Sequence, residues 1–293
     1  MEVSIIVRTY NEEKYLSELL SGIKRQDIGG LKMEVILVDS GSKDTTVQIA
    51  ASFGCRIEYI KKEEFSFGRS LNIGCSAALG KILVFISGHC IPVDDYWLIN
   101  LIQPLIRNKV ALTYGRQIGV SSSRFSETQI FSKYFPGTSS IPQKNFFCNN
   151  ANAAVLRDVW QRYFFDEELT GLEDMHLGQR IMKDGFKLGY VSNAEVFHIH
   201  DESWNKIKNR FEREAIALQR IMPEVHVTFG DFLRYFLSSV WFDFGKALKQ
   251  HVFAKKAYDI LSYRLAQYWG TYQGNHSHRK LSNKLKEQYF FPR

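Results

Sequence analysis

Val3-Ser-Ile-Ile-Val7 is an apolar, largely β-branched run that stops at Arg8-Thr-Tyr-Asn-Glu-Glu13. That is the pattern of a short buried strand. From Glu12 to Gln26 the spacing becomes helical, with Leu16, Leu19, Leu20 and Ile23 on one face. The alternation then repeats. Strands are expected at Glu34-Val-Ile-Leu-Val38, Arg56-Ile-Glu-Tyr-Ile60 and Lys81-Ile-Leu-Val-Phe-Ile86, with helices from Lys43 to Phe53 and from Asn72 to Leu79. Strand and helix at this rhythm predict an α/β fold with a parallel sheet wrapped by helices. Ligands of such sheets lie beyond the carboxyl ends of the strands. The positions to inspect are therefore Arg8 and Thr9, Asp39 and Ser40, and Ser87 to His89.

The chain has 293 residues, 45% hydrophobic and 24% charged, enough to bury a core without disulfides. Its four cysteines are scattered with no CxxC, which fits a reducing compartment and argues against a structural zinc site. A strand-like run begins at Val3 and no apolar stretch has transmembrane length, so neither a signal peptide nor a membrane span is expected, and a cytoplasmic location follows. The net charge of +7 is uneven. Residues 246–293 hold ten Lys/Arg against two Asp/Glu, leaving 28 basic and 29 acidic residues before them. A main domain with no basic excess excludes nucleic acid as its partner.

Two further segments carry chemistry. Gly171-Leu-Glu-Asp-Met-His-Leu-Gly-Gln-Arg180 places a carboxylate pair, Glu173 and Asp174, at the start of a helix, and Phe197-His-Ile-His200 sets two histidines after a strand. A positioned carboxylate is a candidate general base, although acids are also favoured at helix N-termini for electrostatic reasons. Asn145-Phe-Phe-Cys-Asn-Asn-Ala-Asn152 is apolar and then amide-rich. Helices are expected from Leu156 to Phe164 and from Trp204 to Ile221, with a very aromatic stretch from Phe229 to Leu248.

Taken in order, these signals resemble the family 2 glycosyltransferases. Ser4-Ile-Ile-Val-Arg-Thr-Tyr-Asn-Glu12 resembles their first strand and nucleotide loop, and Val38-Asp-Ser-Gly-Ser-Lys-Asp-Thr-Thr46 their base-binding loop. Phe67-Gly-Arg-Ser-Leu-Asn-Ile-Gly74 resembles the segment whose arginine reaches the nucleotide, and the flanks of Phe85-Ile-Ser-Gly-His89 look like rhamnosyltransferase-type members. The resemblance spans about residues 3–215. It implies a GT-A fold, a Rossmann-like, mostly parallel sheet flanked by helices, here with a C-terminal helical extension. The catalytic domain would be 1–220, with a nucleotide half of about 1–110 and an acceptor half of about 111–220, and 221–293 would be the extension.

The resemblance also implies roles. Asp174 would take the proton of an acceptor hydroxyl during inverting transfer from a UDP- or dTDP-sugar, with Glu173 orienting it. The acceptor would be a glycan or lipid-linked hydroxyl, in bacterial surface polysaccharide synthesis of capsule or O-antigen type. Thr9, Glu12, Asp39, Arg69, Ser87 and Gly88 would contact the donor, and Asn150 and Asn152 the acceptor or donor. Alternatives stay open: Asp39 as a turn residue, Arg69 as a surface ion pair, Glu12 as a helix cap, and the asparagines as caps of the next helix.

The family's acidic metal motif is replaced by Ser87-Gly88-His89. Asp94 and Asp95 lie further on and read as N-cap residues before Tyr96-Trp-Leu98. Either His89 and His198, with His200, hold a divalent ion such as Mn or Mg, imidazole favouring manganese-to-zinc-type ions over magnesium, or the site works without metal and Arg69 holds the diphosphate. The basic, aromatic tail reads as a helix on the anionic inner face of a membrane, or as one packed on the catalytic domain or on a second copy in a homo-oligomer. A nucleotide-sugar binder without catalysis would keep Asp39 and Arg69 and need no Asp174. A nucleotidyltransferase would want a Gly-rich basic loop after the first strand, and this chain has none there.

Overall fold

A computed structural model describes residues 2–277 and 288–290. Two compact units are present. The first takes the chain as far as Val120, then Tyr134–Glu168 and Glu173–Ile199; the second takes Ser121–Lys133, Leu169–Leu172 and the chain from His200 onward.

The first unit is built on one eight-stranded sheet. Its strands are β1 (Val3–Thr9), β2 (Met33–Asp39), β3 (Arg56–Tyr59), β4 (Ile82–Ser87), β5 (Cys90–Pro92), β6 (Leu112–Ile118), β7 (Asn152–Leu156) and β8 (Leu188–His198), in the order β3-β2-β1-β4-β7-β6-β8-β5. β3, β2, β1 and β4 are parallel; β1, β2 and β4 carry the Val/Ile-rich runs expected of buried parallel strands, whereas β3 is a partly exposed edge strand. β7 runs antiparallel between β4 and β6, and β5 runs antiparallel beside β8. Helices α1 (Glu13–Lys24), α2 (Thr46–Ser52), α3 (Phe67–Ala77), α4 (Trp97–Ile106), α6 (Arg157–Tyr163) and α7 (Glu173–Lys183) complete this unit. One continuous core joins Val3, Ile5 and Val7 of β1 to Leu16, Leu19 and Ile23 of α1 and to Trp97, Leu101 and Ile102 of α4.

Several elements differ from the sequence expectation. α3 begins at Phe67, not at Asn72, because the Ser66 side chain caps it by accepting from the Arg69 amide. Gly68 is required in that first turn, since a Cβ there would lie 2.1 Å from the Asp166 carbonyl oxygen. Asp94 and Asp95 are not N-caps of α4: Tyr96 holds that position, Asp94 accepts from the Tyr96 amide one step earlier, and Asp95 pairs with Arg25. All four cysteines are free thiols.

The second unit is helical: α5 (Phe125–Tyr134, all but its last residue), α8 (Trp204–Ile221), α9 (Phe229–Lys249) and α10 (Phe253–Asn275). The aromatic stretch is thus one helix, and a second, weakly amphipathic one follows it. α8 and α10 cross closely because Gly270 and Gly274 bring α10 onto the Lys208 and Glu212 carbonyls, where a Cβ would sit 2.3 and 2.1 Å away. Inside the unit Arg264 of α10 forms a bidentate pair with the fully buried Asp243 of α9 at 2.8 and 3.0 Å, and the Ser126 hydroxyl of α5 donates to the same carboxylate at 2.6 Å. Of the ten basic residues in the tail, Arg279, Lys280, Lys284, Lys286 and Arg293 lie outside the described residues.

Breaking the Asp243–Arg264 pair strands a buried guanidinium. Asp243→Ala should cost about 3–5 kcal/mol of stability, read as a lower urea midpoint by circular dichroism; a midpoint within error of the parent would show the pair to be structurally idle.

Candidate active site

Four strand ends and one helix start assemble the candidate site in the first unit. α7 begins with Glu173 and Asp174, and both are buried. Asp174 Oδ2 accepts from the Asn150 amide at 2.8 Å and Oδ1 from the Met175 amide at 2.7 Å. Burial, and after it the neighbouring Glu173 carboxylate, push the Asp174 pKa up to about 7, against the pull of those two amides and of Arg8. A carboxyl group with that pKa exchanges its proton near neutrality, as a general base requires.

Arg8, the penultimate residue of β1, lies 3.5 Å from Glu173 Oε1 by its Nη1 and stacks its guanidinium over the Phe67 ring at 5.0 Å. Its side chain is mostly buried, so the site contains a fixed cation. Sequence reading placed Arg8 among the strand-end positions and gave it no role. The signal that could have singled it out is a charged residue inside an otherwise apolar strand end.

The segment 148–150 links the carboxylate to the histidines. Cys148 Sγ donates to the Asp174 carbonyl at 3.1 Å, and Asn149 Oδ1 accepts from Gln117 Nε2 at 3.0 Å. Gln117 Oε1 in turn meets His198 Nδ1 at 2.6 Å. His198 ends β8 and stacks on His89 with ring centroids 5.2 Å apart. His89 Nδ1 meets Glu12 Oε1 at 2.9 Å. Glu12 sits at the N-cap position of α1 without capping it; its carboxylate is committed to His89. Gly88 makes that reach possible, because a Cβ there would meet Glu12 Cγ at 2.8 Å. Ser87 closes β4 in register with Arg8.

On the other side, Asp39 ends β2, and its carboxylate accepts from the amides of Gly41 and Ser42, both at 2.9 Å, and from the Ser42 hydroxyl at 2.5 Å; Thr9 Oγ1 lies 3.4 Å away. The carboxylate therefore shapes the loop after β2. Asn11, at φ 55°, knits this loop to the one after β1 by accepting from the Lys43 amide and donating its own amide to Ser42 Oγ.

Two expected site residues are placed otherwise. Asn152 is fully buried: its Oδ1 accepts from Trp97 Nε1 and its Nδ2 donates to the carbonyls of Ala194 and Arg116, so it staples β7 to β6, β8 and α4 and faces no ligand. Arg69 is nearly half exposed and its guanidinium is engaged by Glu167 at 2.7 Å and by the Glu64 carbonyl, the geometry of a surface ion pair. His200, in the second unit, keeps its candidacy as a ligand, with its Nδ1 on Glu127 Oε1 at 2.7 Å. Asn150 stays at the site. Its amide holds Asp174, and its buried Nδ2 has no hydrogen-bond partner among the described residues.

For a divalent ion the histidine pair is a fitting donor set. Each ring has its Nδ1 on a fixed oxygen, the arrangement that orients metal-binding histidines and presents Nε2 as the ligand atom.

Comparisons with known proteins identify the family and the fold. The family model described as glycosyl transferase family 2 matches residues 4–164. The chain is similar to the O-antigen chain rhamnosyltransferase RfbN of Salmonella typhimurium (strain LT2), at 25% identity over 292 residues covering 92% of this chain and 90% of that one. An uncharacterized glycosyltransferase of Rickettsia prowazekii (strain Madrid E) is 36% identical over 283 residues, covering 90% and 83%. Among solved structures, the mannosyltransferase PcManGT from Pyrobaculum calidifontis, in complex with GDP-Man and Mn2+, superposes with a TM-score of 0.62 at 19% identity, over 99% of this chain and 87% of that one. The likeness in structure is one of fold, the expected GT-A arrangement.

Raising the folded-state pKa of Asp174 above its unfolded value means that folding binds a proton. The stability this confers is present below the unfolded pKa of about 4 and is lost as pH rises through about 7. Asp174→Asn, which is neutral at every pH, should therefore gain stability over the parent at pH 8 relative to pH 4. Paired thermal melts at the two pH values check this, and equal differences would contradict the placement of the charge.

Proposed function

The chain belongs to glycosyl transferase family 2 and is a glycosyltransferase, and from that premise we propose that it moves a sugar, with inversion, from a UDP- or dTDP-sugar to a hydroxyl of a glycan or lipid-linked acceptor in the synthesis of a bacterial surface polysaccharide of O-antigen or capsule type. The observation that carries the chemistry is Asp174, a buried carboxyl group poised near neutrality and held by the Asn150 amide. The RfbN relationship supports the polysaccharide context and a deoxysugar donor.

In the proposed reaction an Asp174 oxygen takes the proton of the acceptor hydroxyl. The freed oxygen pair bonds to the anomeric carbon, the carbon–oxygen bond to the diphosphate breaks, and the nucleoside diphosphate leaves with that electron pair. A positioned base contributes roughly 10²–10⁴-fold to such a step. Glu173, 3.5 Å from Arg8, orients the pair. Arg8, backed by the Phe67 ring, supplies positive charge for the diphosphate, a role Arg69 cannot fill while Glu167 holds it. Thr9 and the loop shaped by Asp39 form the base pocket, with Ser87 and Gly88 lining the donor side and Asn150 Nδ2 offered to a bound hydroxyl.

His89 and His198 would hold a divalent ion of the manganese-to-zinc type, which when bound neutralises diphosphate charge. Glu12 and Gln117 fix the ring orientations that this needs.

A donor panel tests the proposal. Purified protein incubated with UDP-, dTDP-, GDP- and CMP-sugars, with EDTA or with manganese, should release nucleotide slowly from a UDP- or dTDP-sugar. Asp174→Asn should slow that turnover by roughly 10²-fold or more while keeping donor affinity by calorimetry. A protein that binds a donor tightly and turns none over with any acceptor glycan is instead a nucleotide-sugar binding protein.

A further inference from the structure

We infer that helix α9 docks the protein on an anionic lipid surface. The inference concerns the second unit alone and stands independently of the transfer chemistry. Leu233, Leu237, Trp241 and Leu248 are 41%, 61%, 81% and 58% exposed. At 3.6 residues per turn they fall within an arc of about 80° and run for about 22 Å along the helix. This exposure is not fraying: the helix opens with a full capping box at Thr228 and Asp231, and the adjoining face, centred about 100° round the helix, is anchored by Phe232, Val240, Ala247 and the Asp243–Arg264 pair. A well-fixed helix thus presents an apolar stripe to solvent, broken between Trp241 and Leu248 where Phe244 packs inward, with a tryptophan as its most exposed member.

Charge selects the occupant. Between residues 229 and 259 the three acids Asp231, Asp243 and Asp259 are each paired with an arginine, Arg234, Arg264 and Arg124. Lys249 on α9 and Lys255 and Lys256 at the start of α10 therefore set the sign of the surface at the C-terminal end of the stripe, while Lys246 lies across the helix over the Phe242 ring. A second copy of this chain meeting the stripe face to face would bring two such lysine sets together. An anionic bilayer neutralises them while the leucines and Trp241 enter the acyl boundary, and lysine stems suit that boundary. Among the described residues no helix is long and apolar enough to cross a membrane, so the contact is one of lying on the surface.

The full chain should co-sediment with mixed phosphatidylglycerol–phosphatidylcholine vesicles and much less with pure phosphatidylcholine, and high salt should release it. The exposed substitutions Leu237→Ser and Trp241→Ser should each lower partitioning by about tenfold with unchanged circular dichroism. Reversing charge with Lys249→Glu and Lys255→Glu should abolish the preference for anionic vesicles. In the parent, vesicles should blue-shift a fluorescence component that disappears in Trp241→Phe. Absence of sedimentation with anionic vesicles overturns the inference. So does a concentration-dependent dimer in analytical ultracentrifugation that Trp241→Ser abolishes, since it would assign the stripe to a second copy.

Discussion

Keeping the Asp174 carboxyl group buried beside a second acid is the constraint on which the rest of the first unit turns. A desolvated charge is costly unless donors and an opposite charge attend it. The structure provides both: the Asn150 and Met175 amides on Asp174, and the Arg8 guanidinium near Glu173. The compensation is incomplete, because the pKa still rises to about 7. That incomplete compensation makes the group chemically useful. A fully satisfied carboxylate would be too weak a base near neutral pH, and an unattended one would not be charged at all.

The constraint propagates through short, directional links. The segment 148–150 touches Asp174 by the Cys148 thiol and the Asn150 amide and Gln117 by the Asn149 side chain, and Gln117 orients His198. His198 stacks on His89, which Glu12 holds from the N-cap position of α1. Carboxylate and imidazoles are therefore joined by one chain of contacts. The antiparallel strand β7 makes this possible. It carries Asn152 as its internal staple and delivers residues 148–150 to the site just before the strand begins.

Much of the architecture was legible from periodicity. Strands β1, β2 and β4 and helix α1 are written in apolar spacing, because burial leaves few alternatives for those residues. Glu173 and Asp174 were legible as a helix-start pair for the same local reason. What local pattern could not reveal was partnership at long range. Asn152 looked like a ligand-facing amide, yet its partner Trp97 is 55 residues away. Arg69 looked like a donor contact, yet Glu167, 98 residues on, claims it. The start of α3 was missed because Gly68 reads as a loop residue, while its true constraint is the Asp166 carbonyl across the fold. Arg8 was undervalued since only the folded chain shows it between Phe67 and Glu173. α10 escaped as a separate element because its apolar residues are spread around the helix and its glycines serve close packing.

The most direct test of the account is the pH dependence of kcat/KM for sugar transfer to an acceptor glycan, measured for the parent and for Arg8→Ala. The account predicts an acid limb near pH 7 in the parent, displaced upward in Arg8→Ala because the Arg8 charge lowers the Asp174 pKa. A limb near the ordinary carboxylate range of about pH 4, unmoved by the substitution, would contradict a buried Asp174 as the base.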